Sequence, residues 1–545
     1  MGPSVRLCTG AGAGRCAAAV PRLPPLSSLF PPPTPPQAPS LRQAPDDKND
    51  GWATKVLVVL SLLIAELSVL LFPLDVANRR SCPVGTDLAF CSLTMPMRGL
   101  WGTVWMCQIV LAFVAIPFAL FFYETDSGPV AEGGRGSAAG RLRTASLYTL
   151  GCVIVSLLMF FVPYGVVGWI DYPVDTLVSG AAPVSALSQS GGGWPGAGAG
   201  GGCVPPGGTS PQASAGLCAA ESVGGAAPPT TTWSRRAAPL VYVVALVSVL
   251  AGLLLAVFSA VGLVALPFDW IADFINRPKK VITRTEYNQR ARELAKRASE
   301  LKEIGQSLRR EEQEVGGTRA RRNRKWRNQA AELARQTELL GADARWLQQA
   351  FPQGEGREAA WYLTVLAAWL RLVGGVVGAI VGVLWLIHLT VYLFLDPPAG
   401  PFLNAFFDGL QRAWGLLSTL AFSLFCLYFL AATVHGLFRL GLWVGVGFLH
   451  PMRLNGTYLS TLLFNSGLVL ILSTALVQFC AWAFGLYAEG TVVHAVWATE
   501  VRRLRGFGPL YEHRVFQWTF VAFLCATLLW YAAMGARRRR GDGDV

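Results

Sequence analysis

The chain is poor in charge: Asp, Glu, Lys and Arg make up only 14% of its 545 residues, against about 25% in soluble domains. That shortage excludes an ordinary water-soluble globule. None of the 11 cysteines forms a C-x-x-C, which excludes a zinc ribbon or redox dithiol, and no H-E-x-x-H occurs for an intramembrane metalloprotease. The 5 histidines are too scattered to supply a local metal pair, and no glycine-rich stretch leads into Lys-Ser or Lys-Thr to cradle a phosphate. There is no internal repeat and no pair of broken helices, features that favour a secondary transporter. No catalytic residue, cofactor or metal ligand is assigned on this basis, and enzyme activity is not expected.

Apolar residues are what the chain has in excess, at 52% hydrophobic with 18 Trp and 29 Phe. A hydrocarbon core about 30 Å thick needs roughly 20 apolar residues in a helix rising 1.5 Å per residue. Eight runs meet that length: 52–72, 100–123, 146–170, 240–268, 372–395, 414–434, 458–487 and 515–534. The expected fold is therefore all-α, a polytopic transmembrane helix bundle, with membrane regions at 51–276 and 358–535. A weaker run between Gly436 and His450, interrupted by Arg439, reads as an interfacial or re-entrant segment rather than another span. Residues 1–50, rich in Ala, Pro and Arg, and the Gly-rich tract 179–229 hold too few large side chains to pack a core and are expected to be disordered.

The joint at 277–357 is different in kind, with 20 Lys or Arg against 11 Asp or Glu. Ala291, Leu294, Ala298 and Leu301 recur at helical spacing in its first half, and Leu333, Leu340 and Leu347 do so in its second. Gly316-Gly317 and the cluster Arg321, Arg322, Arg324, Lys325 and Arg327 separate the two. This pattern predicts an amphipathic helical hairpin with a basic tip. Basic residues are retained on the cytosolic side of a membrane, so the hairpin and both termini are expected there, the basic tail 536–545 included. The joint 488–514, with Arg502, Arg503 and Arg505, dissents from that orientation. At the cluster, contact with the anionic leaflet or with cytosolic proteins is expected over nucleic acid, since each basic residue near such a surface contributes about 1 kcal/mol.

Two cysteine pairs, Cys82 with Cys91 and Cys203 with Cys218, fall in joints on the opposite, exoplasmic side and are candidate disulfides, with free thiols as the alternative. Within spans, a charge costs at least about 2.5–3.5 kcal/mol and invites a functional reading. Glu66, set among leucines, is the clearest instance. His388, Asn465 and Gln478 complete the candidate intramembrane polar site, each with interhelical hydrogen bonding as the plainer role. Asp75 follows Glu66 by nine residues, on the opposite helical face beyond Pro73, and reads as a span terminus that caps a helix. Gly374, Gly378 and Gly382 form a small-residue stripe suited to close helix packing.

In this order along the chain, Pro73-Leu74-Asp75-Val76-Ala77-Asn78-Arg79, Leu93-Thr94-Met95-Pro96-Met97, Ile116-Pro117-Phe118-Ala119, Arg277-Pro278-Lys279, Pro401-Phe402-Leu403-Asn404, His450-Pro451-Met452 and Leu463-Phe464-Asn465 resemble the LIMR family of lipocalin-interacting, or limb-region, membrane proteins, and its plant-type members above all. The resemblance implies nine spans, an exoplasmic amino terminus and a large cytosolic loop after the fifth span. Pro45-Asp46-Asp47 resembles the segment after the family's first span, yet the residues before it cannot form a membrane helix. A wrong first exon is the expected reason, with genuine loss of the span as the alternative. The family brings no catalytic residues. It implies a receptor or scaffold for ligand uptake or signalling, with a lipocalin-like or small-molecule ligand and cytosolic protein partners at 277–357. The alternative is a small-molecule transporter or accessory for a cobalamin-like cargo. An endomembrane (lysosome or vacuole) or the plasma membrane is the expected location.

Overall fold

The computed structural model describes residues 52–81, 95–126, 138–175, 230–315, 324–351, 357–395, 400–443, 448–449 and 459–541. Its helices are α1 (Trp52–Ser81), α2 (Met97–Val110), α3 (Ile116–Asp126), α4 (Ala138–Val167), α5 (Pro239–Ile275), α6 (Arg284–Val315) and α7 (Arg324–Ala350). They continue as α8 (Arg357–His388), α9 (Phe402–Ala413), α10 (Gly415–Leu440), α11 (Leu459–Ala483), α12 (Val492–His494), α13 (Gly508–Glu512) and α14 (Val515–Gly541). A π-helical turn at Leu111–Ala115 joins α2 to α3 as one span. Among the described residues, eight helices are long and apolar enough to cross a membrane, as the sequence leads one to expect.

The bundle is built around α5 and α11. Pro239 opens α5 at a position where its missing N–H costs nothing, and the helix then runs for 37 residues, among them Ala251, Ala256, Ala260 and Gly262, all buried. Small residues let neighbours come close. A Cβ at Gly262 would lie 1.6 Å from the Ala432 carbonyl oxygen, and one at Gly436 would lie 1.9 Å from that of Phe258, so α5 and α10 cross backbone to backbone. The stripe on α8 faces larger neighbours: Gly374 packs on Trp270, Gly378 on Tyr428 and Gly382 on Leu263. By contrast α4 is peripheral, and Val155, Val162 and Val166 stay 65–73% exposed for lipid to cover.

Several spans are longer than their apolar runs. α1 passes through Pro73 to Ser81, and α5 passes through Pro267 to Ile275. α11 stops at Ala483, short of the expected 487. In the segment 436–450, the described residues form the last turn of α10, a left-handed Gly441 (φ 66°) and a short pairing of β3 (Leu442–Trp443) with β4 (Phe448–Leu449), while 444–447 and 450 lie outside the described residues.

The two ends of the bundle differ. At one, α6 and α7 fold back on each other as predicted, pinned by the Ile282 amide on the Ala350 carbonyl (3.2 Å) and by Tyr287 stacked on Phe351 (4.8 Å). Arg324, Lys325 and Arg327 open α7, whereas Arg321 and Arg322 lie outside the described residues. At the other end, β1 (Trp169–Asp175) pairs antiparallel with β2 (Thr230–Arg236), and Ile170 bridges to Leu504. The dissenting arginines are here. Arg505 grips both oxygens of Asp171 at 2.8 Å, which holds that carboxyl below its ordinary range, while Arg503 lies over Tyr172 and Arg502 over Trp482. Arg505 is thus ion-paired within this platform, while Arg502 and Arg503 stay exposed.

Candidate functional site

α5 ends in two carboxylates, Asp269 and Asp273, spaced one helical turn apart and hence on one face. α10 presents His435 and Arg439 with the same spacing. The two faces meet. Asp269 accepts at Oδ2 from His435 Nε2 (2.8 Å) and from Arg439 Nη1 (3.3 Å), and Arg439 reaches on to the Tyr531 hydroxyl (3.3 Å) on α14. Arg371 on α8 stands 3.9 Å from Asp273, near the outer limit of an ion pair.

Asp269, Asp273, Arg371 and His435 form the polar wall of a half-open cavity of about 530 Å3 lined by α1, α5, α8, α10 and α11. Leu62, Leu266, Leu430, Val434 and Val469 supply its apolar wall, and Glu66 and Asn465 enter it from α1 and α11. It lies in the half of the bundle nearer the helical hairpin, since it uses the last turns of α5 and α10 and the first turns of α11. Glu66 makes no hydrogen bond or ion pair with any described residue, whereas Asn465 donates to the Thr461 carbonyl at 2.8 Å. Among the described residues, no group of three or more His, Cys, Asp and Glu is arranged to hold a metal ion.

A family model described as LMBR1-like membrane protein matches residues 41–337 and 306–529. A LIMR family protein of Oryza sativa subsp. japonica is 39% identical over 503 residues, covering 92% of this chain and 93% of that protein. The chain belongs to the LIMR family. A second relative, an Arabidopsis thaliana LIMR family protein, is 38% identical over 502 residues with the same coverage, and one from Dictyostelium discoideum is 29% identical over 497 residues, 89% of this chain and 90% of its own. No solved structure matches the chain.

Of the four intramembrane candidates in this LIMR protein, Glu66 and Asn465 come together at the cavity, while His388 and Gln478 lie elsewhere. His388 is fully buried at the sheet end, where Nε2 meets the Ala483 carbonyl (2.9 Å). That carbonyl, left without a partner in its own helix at the end of α11, also accepts from Asn404 (3.2 Å). Gln478 donates to the Tyr511 hydroxyl. Asp75 caps a helix, but a distant one: buried beside Trp101 Nε1 (3.1 Å), it accepts from the Val493 amide (3.1 Å) at the start of α12. Several family-like motifs thus serve to hold the segment after α11, where Arg80 also binds the Tyr487 carbonyl (3.1 Å) and pairs with Asp408. Cys82, Cys91, Cys203 and Cys218 lie outside the described residues, and the five span cysteines are free thiols.

Proposed function

We propose that this LIMR protein binds a small, largely apolar solute within the membrane and moves it or hands it on, as a transporter or transport accessory. The supporting observation is the cavity: at about 530 Å3 it falls within the roughly 300–1,000 Å3 typical of small-molecule sites, with apolar walls and a few convergent polar groups. This reading moves ahead of the receptor or scaffold expectation. A cobalamin-sized cargo is less well matched to the chamber than a drug-sized one. The hairpin, with helices of 32 and 27 residues and a basic tip, is a reason to keep protein recruitment as a second activity. Retention of basic residues favours a cytosolic hairpin end, in an endomembrane or the plasma membrane.

The test is solute uptake by proteoliposomes, across a panel of small amines, alcohols and carboxylic acids, for wild type and Ala431→Phe. Ala431 lines the cavity, and a phenyl group there takes up its free volume. At least one solute is expected to be taken up by wild type and lost in the variant at unchanged melting temperature. Uptake that survives filling of the cavity contradicts its role.

A further inference from the structure

The charged groups around the cavity are not all paired. Asp269, Asp273 and Glu66 are its three acidic side chains; His435 and Arg439 meet Asp269, and Arg371 stands by Asp273. Arg439 is taken by Asp269 and Arg371 by Asp273, which leaves Glu66 as the carboxylate without a counter-charge. Glu66 opens onto the chamber across from apolar side chains of α10 and α11 such as Leu430 and Val469. A lone carboxylate at membrane depth is costly, and either a proton or a bound cation removes the cost. The apolar walls then suit the remainder of the same molecule.

We propose that the cavity takes an amphipathic organic cation, a molecule with one ammonium group and an alkyl or aromatic body, whose charge pairs with Glu66. This rests on the small-solute reading above and names its substrate class. The ammonium nitrogen supplies the positive charge that Glu66 lacks, and the body lies along Leu62, Leu266 and Val434. An anion would compete with Asp273 for Arg371, and a neutral molecule would leave Glu66 without a counter-charge.

Three probes with one body and different heads test this: radiolabelled decylammonium, decanol and decyl sulfate, bound to the full chain in phosphatidylcholine nanodiscs with empty discs subtracted. Decylammonium is expected to bind wild type about tenfold more tightly than decanol. Glu66→Gln removes that preference, and Glu66→Asp retains part of it. Equal binding of decylammonium and decanol, or tightest binding of decyl sulfate, overturns the cation assignment while the small-solute reading stands. If Ala431→Phe alters the binding of none of the three, the small-solute reading fails with it.

Discussion

Asp269 is where the polar wall of the cavity converges, and its partners lie 166 and 170 residues away in sequence. Removing one member of a buried ion pair strands the other, at about 3–5 kcal/mol, whereas replacing both with apolar groups is close to neutral. Asp269→Leu is therefore expected to destabilise the bundle strongly and Asp269→Leu with Arg439→Leu much less, as read by denaturation in detergent. Equal losses in the two would mean that the pair is not coupled. Glycines divide in a similar way. Gly436→Ala drives a methyl into the Phe258 carbonyl and is expected to cost about 1–3 kcal/mol, whereas Gly382→Ala meets only Leu263 Cδ2 at 3.4 Å and should be nearly neutral. The regular spacing that made Gly374, Gly378 and Gly382 visible in sequence did not mark the tighter crossing, because Gly262 and Gly436 stand alone on separate helices.

Among the elements, spans defined by uncharged runs were readable, and so was the hairpin, because helical periodicity is a local property. The polar wall was not readable, for a physical reason. Asp269 and Asp273 follow Phe268, Arg371 precedes Leu372 and Arg439 interrupts a run, so each looks like the edge of a span until its partner on another helix is known. Pro267 lies within α5 and does not end it. The segment after α11 was likewise opaque, being held by Asp75 and Arg80 of α1 and Asn404 of α9, two distant elements. Within it, burial lowers the pKa of His494, with Glu489 opposing in smaller measure. A histidine with a depressed folded pKa contributes stability that is complete above the ordinary value of about 6.5 and is lost as pH falls through the folded value. Amide exchange at residues 491–495, corrected for intrinsic rate, is expected to quicken below about pH 6.5 and to lose that dependence in His494→Gln. A flat profile in wild type would remove His494 from the stability of this segment.

For the whole molecule, the bundle is asymmetric along the membrane normal. The sheet end is closed by the aromatic packing of Trp385, Phe407, Phe422, Phe484 and Tyr487 and by ion pairs outside the spans, while the hairpin end holds the chamber and its charges. A roomy cavity with several hydrogen-bonding groups on one wall admits water, unlike a wholly apolar void. The most direct measurement is thiol labelling in a cysteine-free background, with a small water-soluble maleimide applied to the protein in a bilayer, at two positions of α10. Leu430 lines the cavity and is buried, whereas Leu424 on the same helix is 67% exposed on the outside of the bundle, where lipid covers it. Leu430→Cys is expected to react and Leu424→Cys to stay inert; an unreactive Leu430→Cys, or reaction at both positions alike, would contradict a solute-binding chamber in this LIMR bundle.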